Sequence, residues 1–170
     1  DLMAQAEGRM AIRIAADGKL GPAARRANRL TRGAVARLVE SARSGKAKTE
    51  EVISLAWPGG MAAEALDVLV LPRRPEADEA RKGGASLAKL AGGKDLLVMA
   101  GNQARIQDLA RGIALRSYDF DAHKTTEDEA TGGAVTICHS KADEAAAVFA
   151  PLYAVADGVR MTRDLTNEPA

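Results

Sequence analysis

The stretch EVISLAWPGGMAAEALDVLVLPRRP, residues 51–75, holds two aliphatic runs, 51–57 and 66–71, parted by Pro58, Gly59 and Gly60 and closed by Pro72. Short runs rich in Val, Ile and Leu, bounded by Gly, Pro or charge, read as strands of a largely buried sheet. The same signature recurs at residues 10–15, 95–100 and 133–139, so five strands is the minimum. Longer segments of helical period fill the intervals. Residues 22–43 place Ala23, Ala27, Leu30, Ala34 and Leu38 on one stripe of a single predicted helix. Residues 76–90 and 103–118 follow, the latter with Ile106, Leu109 and Ile113 on a similar face. A last helix is expected from Ser140, with Asp143 completing a capping box. Pro151 should break or kink it, because a proline removes a backbone donor and clashes one turn back; Leu152, Val155 and Val159 then resume the stripe. Strands alternating with helices are the pattern of an α/β domain.

Composition agrees with one such domain. The chain has 170 residues, 46% of them hydrophobic, which excludes disorder. Ala fills 36 positions and aromatics only 3%, so the core must be thin and aliphatic with helices lying close on their neighbours, and stacking platforms for bases or sugars are not expected. Cys138 is the only cysteine, which excludes an intrachain disulfide and fits a reducing compartment, the cytoplasm by default. The longest nearly unbroken apolar run, residues 145–156, falls short of the roughly 18 residues a membrane span needs. The first ten residues lack the apolar stretch of a signal peptide, and the missing initiator Met is expected to reflect trimming.

Motifs that carry chemistry are few. There is no GxxxxGK[ST] loop, GxGxxG, GxSxG or HExxH. Cys138 and His139 are neighbours in a predicted strand, so their side chains face opposite ways and cannot act as nucleophile and base. Asp119, Asp121 and His123 alternate and would share one face of an extended segment, but no fourth ligand accompanies them, and a closed metal site is not expected. The remaining signal is charge. Between residues 19 and 48 nine Lys and Arg stand against Glu40 alone, in a chain whose formal net charge is +1. On a helical wheel Arg25, Arg29, Arg32 and Arg43 cluster opposite the apolar stripe, the appearance of a solvated face and also of a polyanion-binding ridge.

The C-terminal segment GVRMTRDLTNEPA, residues 158–170, resembles the Arg-Asp-Leu-x-Asn-x-Pro stretch that joins the two domains of the leucyl (cytosol) aminopeptidase family, with Arg163, Asp164, Leu165, Asn167 and Pro169 in the matching places. Upstream, GIALRSYDFDAHKT, residues 112–125, is similar to the family's helix end and following loop at Tyr118, Phe120, Asp121, Lys124 and Thr125, with His123 where an aromatic is more usual. The resemblance implies an N-terminal domain over residues 1–157, then a linker helix and junction over 158–170. The implied fold is a three-layer αβα, macrodomain-like domain with a mixed, mostly parallel central sheet. It implies no catalytic, cofactor or metal residues in this chain. The family's two divalent metals, zinc or manganese, belong to a C-terminal catalytic domain, which would be this chain's partner, in a hexamer. Two rival expectations remain. One is an ADP-ribose or nucleotide-binding module, against which the Asn-rich turn and tri-glycine loop of macrodomains are missing; the other is an accessory DNA-binding domain that uses the arginine face.

Overall fold

Side chains alternate across a strand, and the first strand shows what that alternation builds. In β1 (Arg9–Ile14), Met10, Ile12 and Ile14 enter one apolar cluster while Ala11 enters another. The computed structural model describes residues 1–44, 48–117 and 133–167, with the side chains of residues 43, 44 and 164–167 outside the description. A short helix, α1 (Leu2–Gln5), precedes β1. The other strands are β2 (Val52–Ala56), β3 (Ala65–Val70), β4 (Leu96–Gly101) and β5 (Val135–His139). They form one sheet in the order β2-β3-β1-β4-β5, parallel except for β2, which runs antiparallel to β3 with Ser54 opposite Asp67. All five strands predicted from the sequence are present within one or two residues of their expected ends. Every residue of β3 is buried, as expected of a strand covered on both faces.

Helices α2 (Pro22–Leu30) and α3 (Ala34–Ser44) cover one face, against Met10, Ile12, Leu66, Val68 and Val70. Helices α4 (Ala77–Ala91) and α5 (Ile106–Arg116) cover the other, against Ala11, Leu69, Leu71, Leu96 and Val98. The fold is thus the three-layer α/β arrangement expected. Helix α6 (Ala142–Asn167) packs against α5 and the edge strand β5, with Ala145 against the cluster on the α4–α5 face.

The single helix predicted over residues 22–43 is two. Its break has a complete local cause. The N–H of Gly33 bonds back to Asn28 O at 2.8 Å and that of Arg32 to Arg29 O at 3.2 Å, the paired closure of a Schellman end. Arg32 takes the left-handed conformation that closure requires, with φ 48. Thr31 Oγ1 donates to Ala27 O, and the Asn28 side chain turns to accept the Ala36 N–H at 2.8 Å, capping the start of α3. Asn28 therefore serves both helices, its carbonyl in the closure of one and its side chain at the start of the next. The buried stripe also differs from the predicted one. Ala24, Ala27, Val35 and Val39 are fully buried, whereas Ala23, Leu30 and Leu38 are only half-buried.

Two further expectations change. Helix α5 begins at Ile106 rather than 103, because Arg105 sits at its cap in the left-handed region with φ 59. Pro151 does not break α6, which continues through it to Asn167. Pro151 and Ala147 are both exposed, so water can reach the carbonyl that the missing N–H leaves unpaired. Helices α4 and α5, by contrast, meet backbone to backbone. A Cβ added to Gly112 would lie 1.9 Å from Arg81 O, and one added to Gly84 would lie 2.0 Å from Leu109 O.

Candidate functional site

The one acid inside the aliphatic run of β3, Asp67, is fully buried. Its carboxylate accepts from Arg9 Nε at 2.9 Å and Arg9 Nη2 at 2.7 Å, a bidentate pair across neighbouring strands, and from the Ser54 hydroxyl across the other. The hydrogen bond to Asp67 raises the Arg9 pKa above its ordinary value, against the opposing effect of burial. All three groups are committed to one another at the strand centre, so the arrangement is structural.

Ligands of open α/β sheets settle beyond the carboxyl ends of parallel strands, and there β4 and β5 hand over to α5 and α6. A crevice of about 380 Å³ is lined by Gln103, Arg105, His139, Lys141 and Glu144 among others. His139 Nδ1 accepts the Lys141 N–H at 3.3 Å, which places the ring proton on Nε2, donating to Gln103 O at 3.1 Å. Cys138, on the opposite side of β5, packs half-buried against the α2–α3 cluster, so the two neighbours diverge as the strand reading requires. The crevice offers little charge to an anion, because Lys141 is paired with Glu144 and Arg105 lies 3.9 Å from Asp108. Arg13, near the end of β1, donates to Leu71 O at 3.1 Å; burial first, and Arg73 second, lower its pKa.

The arginines singled out in the sequence are only partly brought together. Arg25 and Arg29 stand one turn apart on α2, exposed, and with Pro22 and Asn28 border a depression of about 490 Å³. Neither has an ion-pair partner among the described residues. Arg26 is bound to Asp1 at 2.6 Å. Arg32 falls in the break between α2 and α3 and so leaves the wheel on which it was placed, since the wheel assumed one helix. The Arg43 side chain, and Asp119, Asp121 and His123, lie outside the described residues. Among the described residues no group of three or more His, Cys, Asp or Glu converges as a metal site would require.

Helix α6 is covered along one stripe and exposed around the rest. Toward the body, Ala156 is fully buried, and Arg160 Nη2 donates to Ala114 O at 2.7 Å, satisfying a carbonyl in the last turn of α5. The Arg160 guanidinium also lies 5.8 Å from the Tyr153 ring centroid. Toward solvent, Val148, Tyr153, Val155 and Met161 are between 44% and 65% exposed. No described helix is long and apolar enough to cross a membrane.

No family model matches the chain. It is 48% identical over all 170 residues to a probable cytosol aminopeptidase of Dinoroseobacter shibae and 39% identical, again over its whole length, to one of Cereibacter sphaeroides. A third, from a Bradyrhizobium strain, is 36% identical over 81% of the chain. The chain spans only about a third of these relatives, 35% of the first two and 31% of the last. Among solved structures the bottromycin maturation enzyme BotP superposes on 96% of the chain with a TM-score of 0.62 at 20% identity, over 33% of its own length, a likeness of fold. Sequence identity along the whole chain places it, as the N-terminal part, in the cytosol aminopeptidase family.

Proposed function

We propose that the chain is the non-catalytic N-terminal domain of a cytoplasmic two-metal aminopeptidase, and that it supports assembly and limits access to a separate catalytic domain. In that reading two divalent ions, zinc or manganese, sit in the catalytic domain, where they would polarise the scissile carbonyl and activate a bridging water. The full protein would release N-terminal residues from peptides and work as a hexamer. The observation that carries the reading is the exposed apolar surface of α6, which the body of the domain covers along one stripe only. One narrow stripe is anchored by Ala156 and Arg160, and around the rest of a helix about 39 Å long apolar side chains stand exposed to solvent.

The test compares the isolated chain with the full-length aminopeptidase. Val155→Asp combined with Met161→Asp should change the stability of the isolated chain by less than about 0.5 kcal/mol, because both side chains are exposed. In the full-length protein the same pair should lower peptidase activity and the thermal midpoint together. The isolated chain should hydrolyse no aminoacyl p-nitroanilide with added zinc or manganese. Turnover by this chain that disappears on substituting one of its own residues, or a full-length protein indifferent to the α6 pair, overturns the reading.

A second reading, polyanion contact through α2 with DNA as the candidate partner, is favoured by the exposure of Arg25 and Arg29 around their shared depression. Two aligned arginines release few counterions, so contact by one copy would be weak and steep in salt, and an oligomer would strengthen it through avidity. Full-length protein carrying Arg25→Glu and Arg29→Glu should lose a low-salt gel shift. An unchanged shift removes α2 from consideration.

A further inference from the structure

A second basic surface lies on the opposite face of the sheet, and no feature of the sequence singled it out. A groove of about 790 Å³ is bordered by Lys48, Thr49, Glu50 and Glu51 before β2, by Lys82, Ala85, Ser86 and Lys89 along one face of α4, and by Arg116 at the end of α5. The volume is within the range of small-molecule sites. The charges around it are unequally committed. Lys82 is bonded to Asp78 at 2.7 Å, and Glu50 adds to the pull that keeps it protonated. Glu51 Oε2 accepts the Lys48 backbone N–H at 2.8 Å, which holds that carboxylate against the main chain. Lys89 and Arg116 are exposed, and they and the Lys48 ammonium have no ion-pair partner among the described residues.

The backbone at the rim is also held away from its easy conformations. Glu50 is left-handed, with φ 71, although it is not a glycine. Its N–H bonds to Val70 O at 2.8 Å, and the Val70 N–H bonds to Glu51 O at 2.9 Å, so the turn is pinned to the end of β3. Backbone strain of this kind persists only where the surroundings over-determine it. Here it fixes where Lys48 and Thr49 stand relative to α4.

We propose that this groove binds a compact anion carrying at least two negative charges, held by Lys48, Lys89 and Arg116, with the hydroxyls of Thr49 and Ser86 available as further donors. Three cations from three separate elements surround a concavity, so a single small ligand can meet them all without ordering a long chain. Glu50 and Glu51 offset part of the charge at one rim, and an anion among Lys48, Lys89 and Arg116 relieves the repulsion that remains between them. The recognised chemistry is a cluster of oxyanions, supplied either by a polyphosphate or by a polycarboxylate. The inference is independent of the aminopeptidase reading, because it uses no residue of α6.

The experiment is calorimetric titration of the chain at low salt with inorganic tripolyphosphate in one arm and citrate in the other. Saturable binding with one site per chain is expected in at least one arm, and the tighter arm names the ligand's source. Lys89→Gln combined with Arg116→Gln should weaken that binding at least ten-fold. Lys19→Gln combined with Arg37→Gln, which border no part of the groove, should leave it within two-fold. Both pairs are exposed, and unchanged circular dichroism and thermal midpoints would show that the fold survives. Absence of saturable binding in both arms overturns the proposal, as does equal weakening by the two pairs, which would mean that the anion reads only net charge.

Discussion

Arg9→Met should cost the fold about 3–5 kcal/mol, measured by urea denaturation, because it leaves the Asp67 carboxylate buried with only the Ser54 hydroxyl for company. Whole domains are stable by roughly 5–15 kcal/mol, so a loss of this size threatens the native state. The pair itself is worth much less than its breakage. Removing a carboxylate and a guanidinium from water costs several kcal/mol, and their attraction offsets that only through good geometry, here two hydrogen bonds of 2.9 and 2.7 Å. Arg9→Met combined with Asp67→Leu should therefore recover most of the loss, with an apolar side chain where the carboxylate stood. A single variant that loses less than about 1 kcal/mol would mean that water reaches Asp67 and that the pair is not buried in solution.

Gly112→Ala should lower stability by about 3 kcal/mol, which for a domain of this size corresponds to a fall of about 6–12 °C in thermal midpoint. The sign is opposite to that expected inside an ordinary helix, where alanine is better than glycine by about 1 kcal/mol. The reversal comes from the opposing main chain. The new methyl would overlap Arg81 O at 1.9 Å and approach the Arg81 carbonyl carbon at 2.8 Å. Neither atom is the end of a flexible side chain, so α4 and α5 would have to separate and lose contact along their whole crossing. Gly158→Ala is the matched control. Gly158 lies inside α6 with nothing within 4 Å of its added Cβ, and the exchange there should stabilise by about 1 kcal/mol. If both exchanges stabilise, α4 and α5 do not meet this closely in solution.

The strands were legible because their signal is local. Runs such as ALDVLVL between charge and proline have one economical reading, and Gly, Pro and charge mark their ends. The break between α2 and α3 was less legible because two signals compete there. Ala, Leu and Val keep a helical period across residues 31–33, which hides the stop, while Asn28, Thr31 and Gly33 supply the hydrogen bonds that enforce it. Period reports which face is apolar, and a Schellman end can interrupt a helix without disturbing that count. The close approach of α4 and α5 was foreshadowed by the scarcity of aromatics and the wealth of Ala and Gly, though not which glycines touch.

The candidate sites divide along the same line. Arg25 and Arg29 are neighbours in sequence and remain neighbours in space, so charge counting found them. Lys48, Lys89 and Arg116 belong to segments far apart in the chain, and only the packing of α4 and α5 on the sheet brings them to one groove. Asp67 carried a visible signal, an acid inside an otherwise aliphatic strand, but its partner Arg9 lies 58 positions away and nothing local names it. Long-range pairs of this kind are set by register, here Arg9 opposite Ala65 and Ser54 opposite Asp67.

The order of strands also sets a timetable for synthesis. Of the five described strands β1 is made first, and it lies at the centre of the sheet, with Arg9 in register with Ala65 on one side and Leu96 on the other. At about 5–20 residues per second, the ribosome takes roughly 5–20 s to pass from Arg9 to Leu96. Throughout that interval β1 can have at most one of its two neighbours, and before β3 is made it has neither. Local contacts can form at once, so the α2–α3 unit with its shared Asn28 cap is free to close early, whereas the sheet must wait for its third, fourth and fifth strands. The nascent chain thus carries Met10, Ile12 and Ile14 exposed for seconds, which makes this stretch, whose three apolar side chains end in the core, the part most in need of a chaperone on the way to it.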